Sequence, residues 1–510
     1  MTSLADTLSL DSARPALWTD RYKLLMAEAG FPLREESFVL SFRRGGPFYV
    51  PMDLKAWIHS LRPAPPSVED LQWVAESNGL NLGQGYRHAL REGEIQVDCL
   101  PQGAWFRDQE PIAVVTGPSA LVSTMEATVI GETAFRIQVA TLAKKHQLGL
   151  LSAAELRARL ERVTCPQEAE IVGQTLDQVG VARFEIRIET KAFQAHVRSR
   201  CTEILTLLNG ESARIAEGGL RSATCPQNHT LAVQAAQEAG WMATSNVWLA
   251  KELGMKAVGT TGHEHTQRHG SDLAAFEAAT DRVPGNVTLL LDTYSTRHSG
   301  IPRAIQVMKR WQPRLLSARP DCEPTQEGDV HMMLASLKEA GLDGGISLSG
   351  GFDAERTARF EDIRRFHDWP AERFSYLYGG FAVKSQLPLP TRSKASAVFK
   401  VCRSAGRPTM KFSDGADGRP GPKSSKPGHP VVFRLSDPLL PGPIGLIGQD
   451  GESPPPGYLR LCAETEAPAM AAAHLGKLDG ASPNSPSTTA LVARCTRERQ
   501  AAMTLNPGSK

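Results

Sequence analysis

The chain has 510 residues, enough for about three domains at roughly 150 residues each. Charged residues make up 22% and hydrophobic residues 41%, an ordinary globular composition that excludes a disordered chain, a coiled coil and a collagen. Lysine and arginine number 57 against 55 for aspartate and glutamate. The resulting net charge of +2 provides no overall field that would attract nucleic acid or an anionic membrane.

The eight cysteines form no C-x-x-C pair and have no metal-type spacing. This usage is typical of reduced, mostly buried thiols in a cytosolic protein. The first twenty residues lack a basic start and an apolar run, and no apolar stretch of about 18 residues occurs. We therefore expect a cytoplasmic protein without a signal peptide, a membrane span or a nucleic-acid partner.

The N-terminal part mixes helical patterns with short strands. Short strands separated by turn residues favour an antiparallel sheet. A longer amphipathic segment with a basic end then leads into the next domain. We predict an α+β domain over residues 1–125, with helices at 52–61 and 67–77 and strands at 93–98 and 110–117. The amphipathic segment is predicted to be a helix at 119–147, which crosses the limit between the two domains.

A unit of about thirty residues, made of a strand, a polar turn and a helix, recurs through the middle of the chain. Five consecutive units with right-handed crossovers predict a parallel α/β sheet or barrel, which forms a catalytic domain over 126–385. The predicted strands are at 255–259, 287–292, 314–318, 345–349 and 374–378, and the helices at 264–280, 300–311, 329–340 and 353–367.

The sequence changes character after residue 385. Apolar runs at 397–402 and 430–434 flank a loop rich in glycine, proline and lysine, which predicts a small C-terminal β appendix with a flexible loop over 386–466. Residues 467–510 are rich in alanine, serine, proline and threonine. This composition predicts a disordered tail.

Polar residues follow each predicted strand of the repeating part. G-T-T-G-H-E, D-T-Y-S and R-P-D-C follow the first three strands, and S-G-G and Y-G-G follow the last two. Parallel α/β sheets place their chemistry at the carboxyl ends of the strands. We therefore predict that these loops share one active site for phosphate and sugar groups, although solvated loops would also be polar.

Two residues of these loops suit catalysis. His263 lies between a strand and a helix, where backbone N–H groups attract anions, and its imidazole can accept a phosphoryl group or act as an acid and base. Asp292 ends the most apolar strand, where a carboxylate commonly holds a ribose hydroxyl or Mg²⁺. The alternative for each side chain is a capping role at the following helix.

Other residues of the loops suit binding. Arg319 offers a fork to a phosphate or carboxylate, and Asp321 offers a hydroxyl or metal contact, unless the two form only a surface ion pair. Two glycine turns in successive loops are typical of a barrel's phosphate site, although tight turns also need glycine. These turns contain Ser349, Gly350 and Gly351, and Gly379 and Gly380.

In the N-terminal part, Tyr22 can stack on a flat heteroaromatic ring, and Arg44 suits a planar carboxylate. Tyr22 also has the helical spacing of a core residue with Leu25 and Met26. The segment T-D-R-Y-K-L-L-M around Tyr22 therefore predicts either a ligand contact or a core position.

These motifs resemble the nicotinate phosphoribosyltransferase family over residues 17–435. The most specific part is the pair G-T-x-x-H-E, at 259–264, and L-L-D-T-Y, at 290–294. Five further family elements are present: T-D-x-Y-x-L-x-M at 19–26, aromatic-R-R-x-x-P-F at 42–48, A-T-S-N at 243–246, S-G-G-[F/L]-D at 349–353 and P-x-M-K-x-S at 408–413. The family's K-x-x-P-G and F/Y-R elements are matched only approximately, by Lys423, Pro427, Gly428 and Arg434.

The resemblance implies a type II phosphoribosyltransferase, which is an irregular α/β barrel with an N-terminal α+β domain and is usually a homodimer. The family joins nicotinate to phosphoribosyl pyrophosphate and forms nicotinate mononucleotide and pyrophosphate in NAD biosynthesis and salvage. ATP hydrolysis accompanies the reaction. His263 would be phosphorylated, Tyr22 would stack on the pyridine ring, and Arg221 would hold pyrophosphate or the nicotinate carboxylate.

The resemblance also implies roles for the remaining strand-end residues. Asp292 and Asp321 would hold the ribose and Mg²⁺, and the two glycine turns would hold the 5′-phosphate. Residues expected to line the substrate site are Arg44, Thr244, Ser245, Arg319 and Ser349.

The chain departs from the family at three elements. One is a turn, which reads Tyr378-Gly379-Gly380-Phe381 where the family has a G-V-G-T-like sequence. Ser222 stands where the family has a second arginine in G-x-R-R, and R-x-D-S-G-D is reduced to R-P-D-C-E-P at 319–324. The R-P-D spelling resembles nicotinamide phosphoribosyltransferase, which takes the uncharged amide. Two alternatives therefore stay open: the nicotinamide-specific relative, and a catalytically reduced homologue that binds metabolites of the NAD pathway.

Overall fold

The computed structural model describes residues 4, 14–322, 325–412, 424–437, 441–466, 475 and 477–504. Within these residues no helix has the length and apolar character needed to cross a membrane. The helices are α1 (Arg21–Ala29), α2 (Leu54–Ser60), α3 (Val68–Asn78), α4 (Gln84–Glu92), α5 (Ser119–Thr124), α6 (Glu126–Gln147), α7 (Ala153–Leu160), α8 (Pro166–Val179), α9 (Thr190–Leu207), α10 (Pro226–Glu238), α11 (Val247–Leu253), α12 (His263–His269), α13 (Asp272–Arg282), α14 (Ile301–Arg310), α15 (Gln326–Glu339), α16 (Ala354–Phe366), α17 (Gly380–Val383), α18 (Arg392–Ala395) and α19 (Pro486–Thr504). The strands are β1 (Glu35–Ser41), β2 (Phe48–Tyr49), β3 (Gln96–Cys99), β4 (Trp105–Phe106), β5 (Pro111–Pro118), β6 (Arg162–Val163), β7 (Arg187–Ile188), β8 (Ile215–Glu217), β9 (Ala243–Thr244), β10 (Lys256–Ala257), β11 (Thr288–Leu290), β12 (Ser317–Arg319), β13 (Gly345–Leu348), β14 (Phe374–Tyr378), β15 (Val398–Ser404), β16 (Arg407–Pro408), β17 (Pro430–Leu435), β18 (Gly445–Gln449) and β19 (Tyr458–Leu461).

An antiparallel sheet with the order β16-β15-β1-β5-β3 forms in the N-terminal part. Strand β15 was expected in the C-terminal appendix, but it pairs with β1 and places Lys400 opposite Val39. The reason is burial, because β1 is covered along most of its length and β15 satisfies the backbone groups along one of its edges.

A seven-stranded parallel sheet with the order β10-β9-β8-β14-β13-β12-β11 forms the middle of the chain. The sheet curls, and Thr261 bridges its two edges: Thr261 N donates to Thr288 O at 2.9 Å, and Leu290 N donates to Thr261 Oγ1 at 2.9 Å. The α/β architecture predicted from the thirty-residue repeat is thereby confirmed.

The five predicted strands correspond to β10–β14, and the structure adds β8 and β9. The helix predicted over 264–280 is two helices, because Gly270 ends α12 with φ +81° and Ser271 caps α13 by accepting from Ala274 N. A positive φ of this size is a left-handed conformation that glycine adopts without strain.

The C-terminal part contains the antiparallel sheet β18-β17-β19 and helix α19. The disorder predicted over 467–510 is wrong for α19, whose start is marked by Ser485 followed by Pro486. Cys495 of α19 packs against Tyr294 and Phe412, and this burial orders the helix. The predicted flexible loop falls largely on 413–423, which includes Ser413 and Lys423 and lies outside the described residues, and the domain limits stay predictions.

Candidate active site

The loops that follow the parallel strands meet at the carboxyl edge of the curled sheet. His263 follows β10, Asp292 follows β11 and Asp321 follows β12. One ligand atom from each of these three side chains lies within 4.8 Å of the others. We call this group the strand-end cluster. Local sequence patterns suggested a shared site, and the curl of the sheet brings these three residues together.

His263 is the first residue of α12 and is largely buried within the strand-end cluster. Its Nε2 lies 2.7 Å from Lys411 Nζ and 3.8 Å from Asp292 Oδ2, and its Nδ1 lies 3.2 Å from Thr293 Oγ1. Burial lowers the pKa of His263 well below its usual value, and the nearby cationic side chains, Lys411 first, lower it further. The ring is therefore neutral, and Nε2 accepts the hydrogen bond that the lysine ammonium donates.

Asp292 is buried beside Lys411, whose Nζ lies 3.6 Å from Asp292 Oδ2. Burial raises the pKa of this carboxyl to about 6; Lys411 opposes the rise, and Asp321 adds to it. Its Oδ1 is buried and has no hydrogen-bond partner among the described residues. The following π-helical turn is capped by Ser295, which accepts from His298 N, so Asp292 is available to a ligand.

Arg319 connects three strand-end loops. Its Nε donates to Ser349 Oγ at 2.7 Å, its Nη1 to Thr260 Oγ1 at 2.8 Å, and its Nη2 to Asp321 Oδ2 at 3.0 Å. Ser349 Oγ in turn donates to Asp321 Oδ1 at 2.7 Å. Arg319 and Asp321 thus form an internal pair that fixes both Asp321 oxygens, and not the exposed pair that was the alternative.

The ring of Tyr22 packs against the start of α12. A Cβ at Gly262 would lie 2.9 Å from Tyr22 Cε2, so glycine is required for this approach beside His263. The Tyr22 hydroxyl donates to Glu126, which also pairs with Lys23 Nζ at 2.7 Å. Tyr22 is therefore a partly buried residue packed against the core and the helix start, and its contact with a ligand stays a prediction.

Arg221 lies over the ring of Tyr22, with its guanidinium carbon 5.3 Å from the ring centroid. Its Nε is 3.1 Å from Asp20 Oδ2, and Asp20 Oδ1 accepts from Ser245 Oγ at 2.6 Å. The adjacent Thr244 donates to Glu217 Oε2 at 2.7 Å. These contacts join the loops after β8 and β9 to the N-terminal part. Ser245 holds the Asp20 carboxylate that pairs with Arg221, and Thr244 is bound to Glu217 at the end of β8.

The two glycine turns lie next to each other because β13 and β14 are neighbours in the sheet. Gly350 and Gly351 have φ values of +93° and +68°, which explains the requirement for glycine there. Gly379 precedes Gly380 at the start of the short helix α17. A Cβ at Gly380 would lie 3.4 Å from Ser222 Oγ, so the residue that replaces the family's second arginine faces this turn.

Arg44 does not join the strand-end cluster. Its side chain is exposed, and its Nη2 donates to the Ser393 carbonyl at 2.9 Å. The neighbouring Arg43 is less exposed, and burial lowers its pKa to about 10.

Three basic residues around the strand-end cluster and the Tyr22–Arg221 contact were not predicted as site residues: Lys400, Lys411 and Arg392. Lys411 contacts His263, and Lys400 Nζ lies 3.1 Å from Glu126 Oε1. Burial lowers the pKa of Lys400 to about 8 and that of Arg392 to about 10, and the positive charge of Arg221 lowers both. A lysine within the apolar run V-F-K-V-C was the available signal for Lys400.

The donor set of the strand-end cluster fits a hard divalent cation. Asp292 and Asp321 offer carboxylate oxygens, which Mg²⁺ prefers, and the partnerless Asp292 Oδ1 is a buried acceptor that a cation would satisfy. His263 is the less suitable donor, because Mg²⁺ favours oxygen ligands.

The chain is similar in sequence and in fold to proteins named nicotinate phosphoribosyltransferase. No protein-family model matches the chain. Nicotinate phosphoribosyltransferases of Bos taurus and Homo sapiens are each 24% identical to it, over 478 and 502 residues; these alignments cover 87% and 91% of this chain and 81% and 86% of the relatives. A nicotinate phosphoribosyltransferase of Mycobacterium tuberculosis is 31% identical over 226 residues, which are 42% of this chain and 43% of the relative.

Two solved structures share the fold. Nicotinate phosphoribosyltransferase of Vibrio cholerae superposes with a TM-score of 0.54 at 16% identity, covering 80% of this chain and 90% of that one. The enzyme of Porphyromonas gingivalis superposes with a TM-score of 0.52 at 18% identity, covering 80% and 95%. The chain therefore has the phosphoribosyltransferase fold of these two structures. By sequence it is related to the nicotinate phosphoribosyltransferases, and the resemblance drawn from its motifs is confirmed.

Proposed function

We propose that the chain transfers the phosphoribosyl group of phosphoribosyl pyrophosphate to nicotinate, forming nicotinate mononucleotide and pyrophosphate for NAD biosynthesis and salvage. The observation that carries this proposal is the placement of Tyr22 and Arg221 beside the strand-end cluster. An aromatic ring and a guanidinium suit a pyridine carboxylate, and the cluster suits a phosphorylated sugar.

Tyr22 and Arg221 form the nicotinate site. The tyrosine ring offers a flat surface to the pyridine, and its position is fixed by the hydrogen bond that its hydroxyl donates to the Glu126 carboxylate. Arg221 is 29% exposed, so part of its guanidinium is accessible to the nicotinate carboxylate or to pyrophosphate. A planar guanidinium binds a carboxylate through two parallel hydrogen bonds.

Asp292 and Asp321 hold Mg²⁺ and the ribose hydroxyls. The bound cation neutralises the charge of the pyrophosphate leaving group. Asp321 is kept in place by Arg319 and Ser349, and both carboxylates face the same space at the strand ends. Gly350 and Gly351 on one side and Gly379 and Gly380 on the other offer backbone N–H groups to the 5′-phosphate.

Departure of pyrophosphate leaves oxocarbenium character on the ribose. Positioning and charge neutralisation are then the main contributions that the protein makes to the rate. Fixed positive charge around the strand-end cluster comes from Lys411, Lys400 and Arg319. Each of these charges lowers the pKa of His263.

ATP hydrolysis is coupled to this transfer through His263. Its neutral ring offers the lone pair of Nε2, the atom that faces Lys411 and Asp292. Nε2 attacks the γ-phosphorus of ATP, the N–P bond forms, the bond to the β-phosphate oxygen breaks, and ADP leaves. The phosphorylated ring adds negative charge beside the cations and alters the affinity of the site for the charged substrates; water later releases the phosphate.

We further propose a homodimer in the cytoplasm. The support is the relationship to nicotinate phosphoribosyltransferases and the reduced state of the eight cysteines, none of which forms a disulfide.

The test is pyrophosphate release by the full chain from phosphoribosyl pyrophosphate and Mg²⁺, with nicotinate or nicotinamide, and with or without ATP. We expect release with nicotinate, stimulation by ATP, and little release with nicotinamide. Preference for nicotinamide would contradict the proposal and indicate the amide-specific relative. No release with either substrate would indicate the catalytically reduced homologue.

A further inference from the structure

A four-residue sequence occurs twice beside the barrel, away from the strand-end cluster. T-C-P-Q stands at 164–167 and again at 224–227, and each copy begins a helix, α8 and α10. Proline at the first helical position fits both starts, because that position needs no backbone N–H.

The two copies face each other with approximate twofold symmetry. Gln167 N donates to Gln227 Oε1 at 2.9 Å, and Gln227 N donates to Gln167 Oε1 at 2.9 Å. This reciprocal pair brings together Cys165 and Cys225, whose sulfurs lie 3.5 Å apart although the residues are 60 positions apart in the chain. The pairing is built by the fold and is not a chance meeting of mobile side chains, since both cysteines are buried.

The two thiols differ in their surroundings. Cys225 caps α10, where its sulfur accepts from Asn228 N at 3.5 Å, and it lines a cleft of about 10 Å³ together with Gly131 and Ala223. That volume accommodates about one water-sized molecule. Cys165 lines no part of this cleft. Cys225 therefore borders this space, and Cys165 does not.

We propose that Cys165 and Cys225 are a modification site, at which hydrogen peroxide forms a reversible disulfide between α8 and α10. The sulfurs need to approach by only about 1.5 Å to reach disulfide bonding distance. Both cysteines precede a helix, but only the Cys225 sulfur accepts a hydrogen bond from a backbone N–H at its helix start, and only Cys225 borders the cleft. We therefore expect Cys225 to react first.

The reaction balances with peroxide as the only added reactant. The Cys225 sulfur attacks a peroxide oxygen, the O–O bond breaks, and one water leaves, so that Cys225 is oxidised to a sulfenic acid. The Cys165 sulfur then attacks the Cys225 sulfur, the S–O bond breaks, and a second water leaves. The two thiols lose two electrons and two protons, and the peroxide is reduced to two waters.

The experiment treats the full reduced chain with a small excess of hydrogen peroxide, blocks the remaining thiols by alkylation and analyses peptides by mass spectrometry. We expect a peptide pair linking Cys165 to Cys225, lighter by two hydrogen atoms than the two reduced peptides and separated by dithiothreitol. A first linkage to any other cysteine, or oxidation of the more exposed Cys322 and Cys462 without this link, would overturn the proposal.

Two variants test the order of the steps. Cys165→Ser is expected to stop at a sulfenic acid on Cys225, which a dimedone probe captures, and Cys225→Ser is expected to leave Cys165 reduced at the same peroxide concentration. Serine is a favourable helix N-cap, so both variants keep a suitable residue at the helix start. Cys99→Ser is the control and is expected to retain the link. Dimedone capture at Cys165 in the Cys225→Ser variant would contradict the assigned order.

The readout is a peptide mass and not turnover. Its outcome is therefore independent of the proposed phosphoribosyl transfer.

Discussion

Lys411 Nζ donates a 2.7 Å hydrogen bond to Nε2 of His263, a residue 148 positions earlier in the chain. Because an ammonium group only donates, this contact fixes Nε2 as the acceptor and leaves the ring proton on Nδ1, facing Thr293 Oγ1. The tautomer with an unprotonated Nε2 is the one that a phosphoryl acceptor requires. The contact with Lys411 therefore favours the tautomer of His263 that suits phosphorylation at Nε2.

Replacement of Lys411 by methionine tests this relationship. Without the donor the ring is free to adopt either tautomer, and we expect the ATP-stimulated rate to fall about 100-fold, a typical result of mispositioning. The pKa of His263 is expected to rise, because one of the positive charges that lower it is removed. Steady-state kinetics and an NMR titration of the imidazole measure the two effects.

Lys426→Met is the matched control. Lys426 Nζ donates to Asn484 Oδ1 at 2.9 Å and makes no described contact with His263. Its variant is expected to keep the ATP stimulation. Full ATP stimulation in Lys411→Met would show that the lysine has no part in orienting the ring.

Two buried groups determine the expected pH dependence of kcat/KM. Asp292 acts as a carboxylate, and since its pKa is about 6, the rate should fall as the pH drops through about 6. Lys400 acts as a cation, and since its pKa is about 8, the rate should fall again as the pH rises through about 8. Lys400→Arg retains the positive charge at high pH, so its profile should lose the alkaline limb. An unchanged alkaline limb in that variant would assign the limb to another group.

Asp292→Asn is expected to stabilise the fold while it abolishes turnover. The pKa of Asp292 is raised by folding from 3.8 to about 6, so the folded state binds this proton more tightly than the unfolded state. The ionised carboxylate therefore destabilises the protein, with a cost that develops between pH values of about 4 and 6 and is complete above 6. The cost is about 3 kcal/mol, because one pKa unit corresponds to about 1.4 kcal/mol. Chemical denaturation at pH 7.5 and at pH 4 measures this cost.

Asp329→Asn provides the contrast for this measurement. Asp329 is also buried, but its carboxylate is paired with Arg297 Nε at 2.7 Å and accepts from Thr325 Oγ1 at 2.7 Å. Its replacement is expected to lower the free energy of unfolding. If Asp292→Asn also lowered the free energy of unfolding at pH 7.5, the ionised Asp292 carboxylate would stabilise the fold, which contradicts the prediction.

The strands and helices of the repeating part could be predicted from local sequence, because a strand, a turn and a helix follow one another there in each unit. Five strand ends could be placed, and with them His263, Asp292 and Asp321. Strands β8 and β9 were missed, because the sequence around each of them lacks an apolar run long enough to indicate a strand.

Lys400 and Lys411 could not be placed for a different reason. Strand β15 joins the N-terminal sheet through pairing with β1, a contact between residues more than 350 positions apart, and no local pattern encodes such a pairing. The same pairing delivers Lys400 to Glu126. Arg44 shows the opposite case, since a residue suited to a carboxylate by its chemistry lies on the surface.

Transfer of labelled phosphate from ATP tests whether His263 is the phosphoryl acceptor that couples ATP hydrolysis to phosphoribosyl transfer. The full chain is incubated with γ-labelled ATP and Mg²⁺, and acid-labile, base-stable label is mapped to a peptide before and after addition of nicotinate and phosphoribosyl pyrophosphate. We expect label on His263 that is discharged during turnover, its absence in His263→Gln, and its retention in His269→Gln, a control at the other end of α12. Label that persists in His263→Gln, or wild-type turnover stimulated by ATP without any label on His263, would contradict the account.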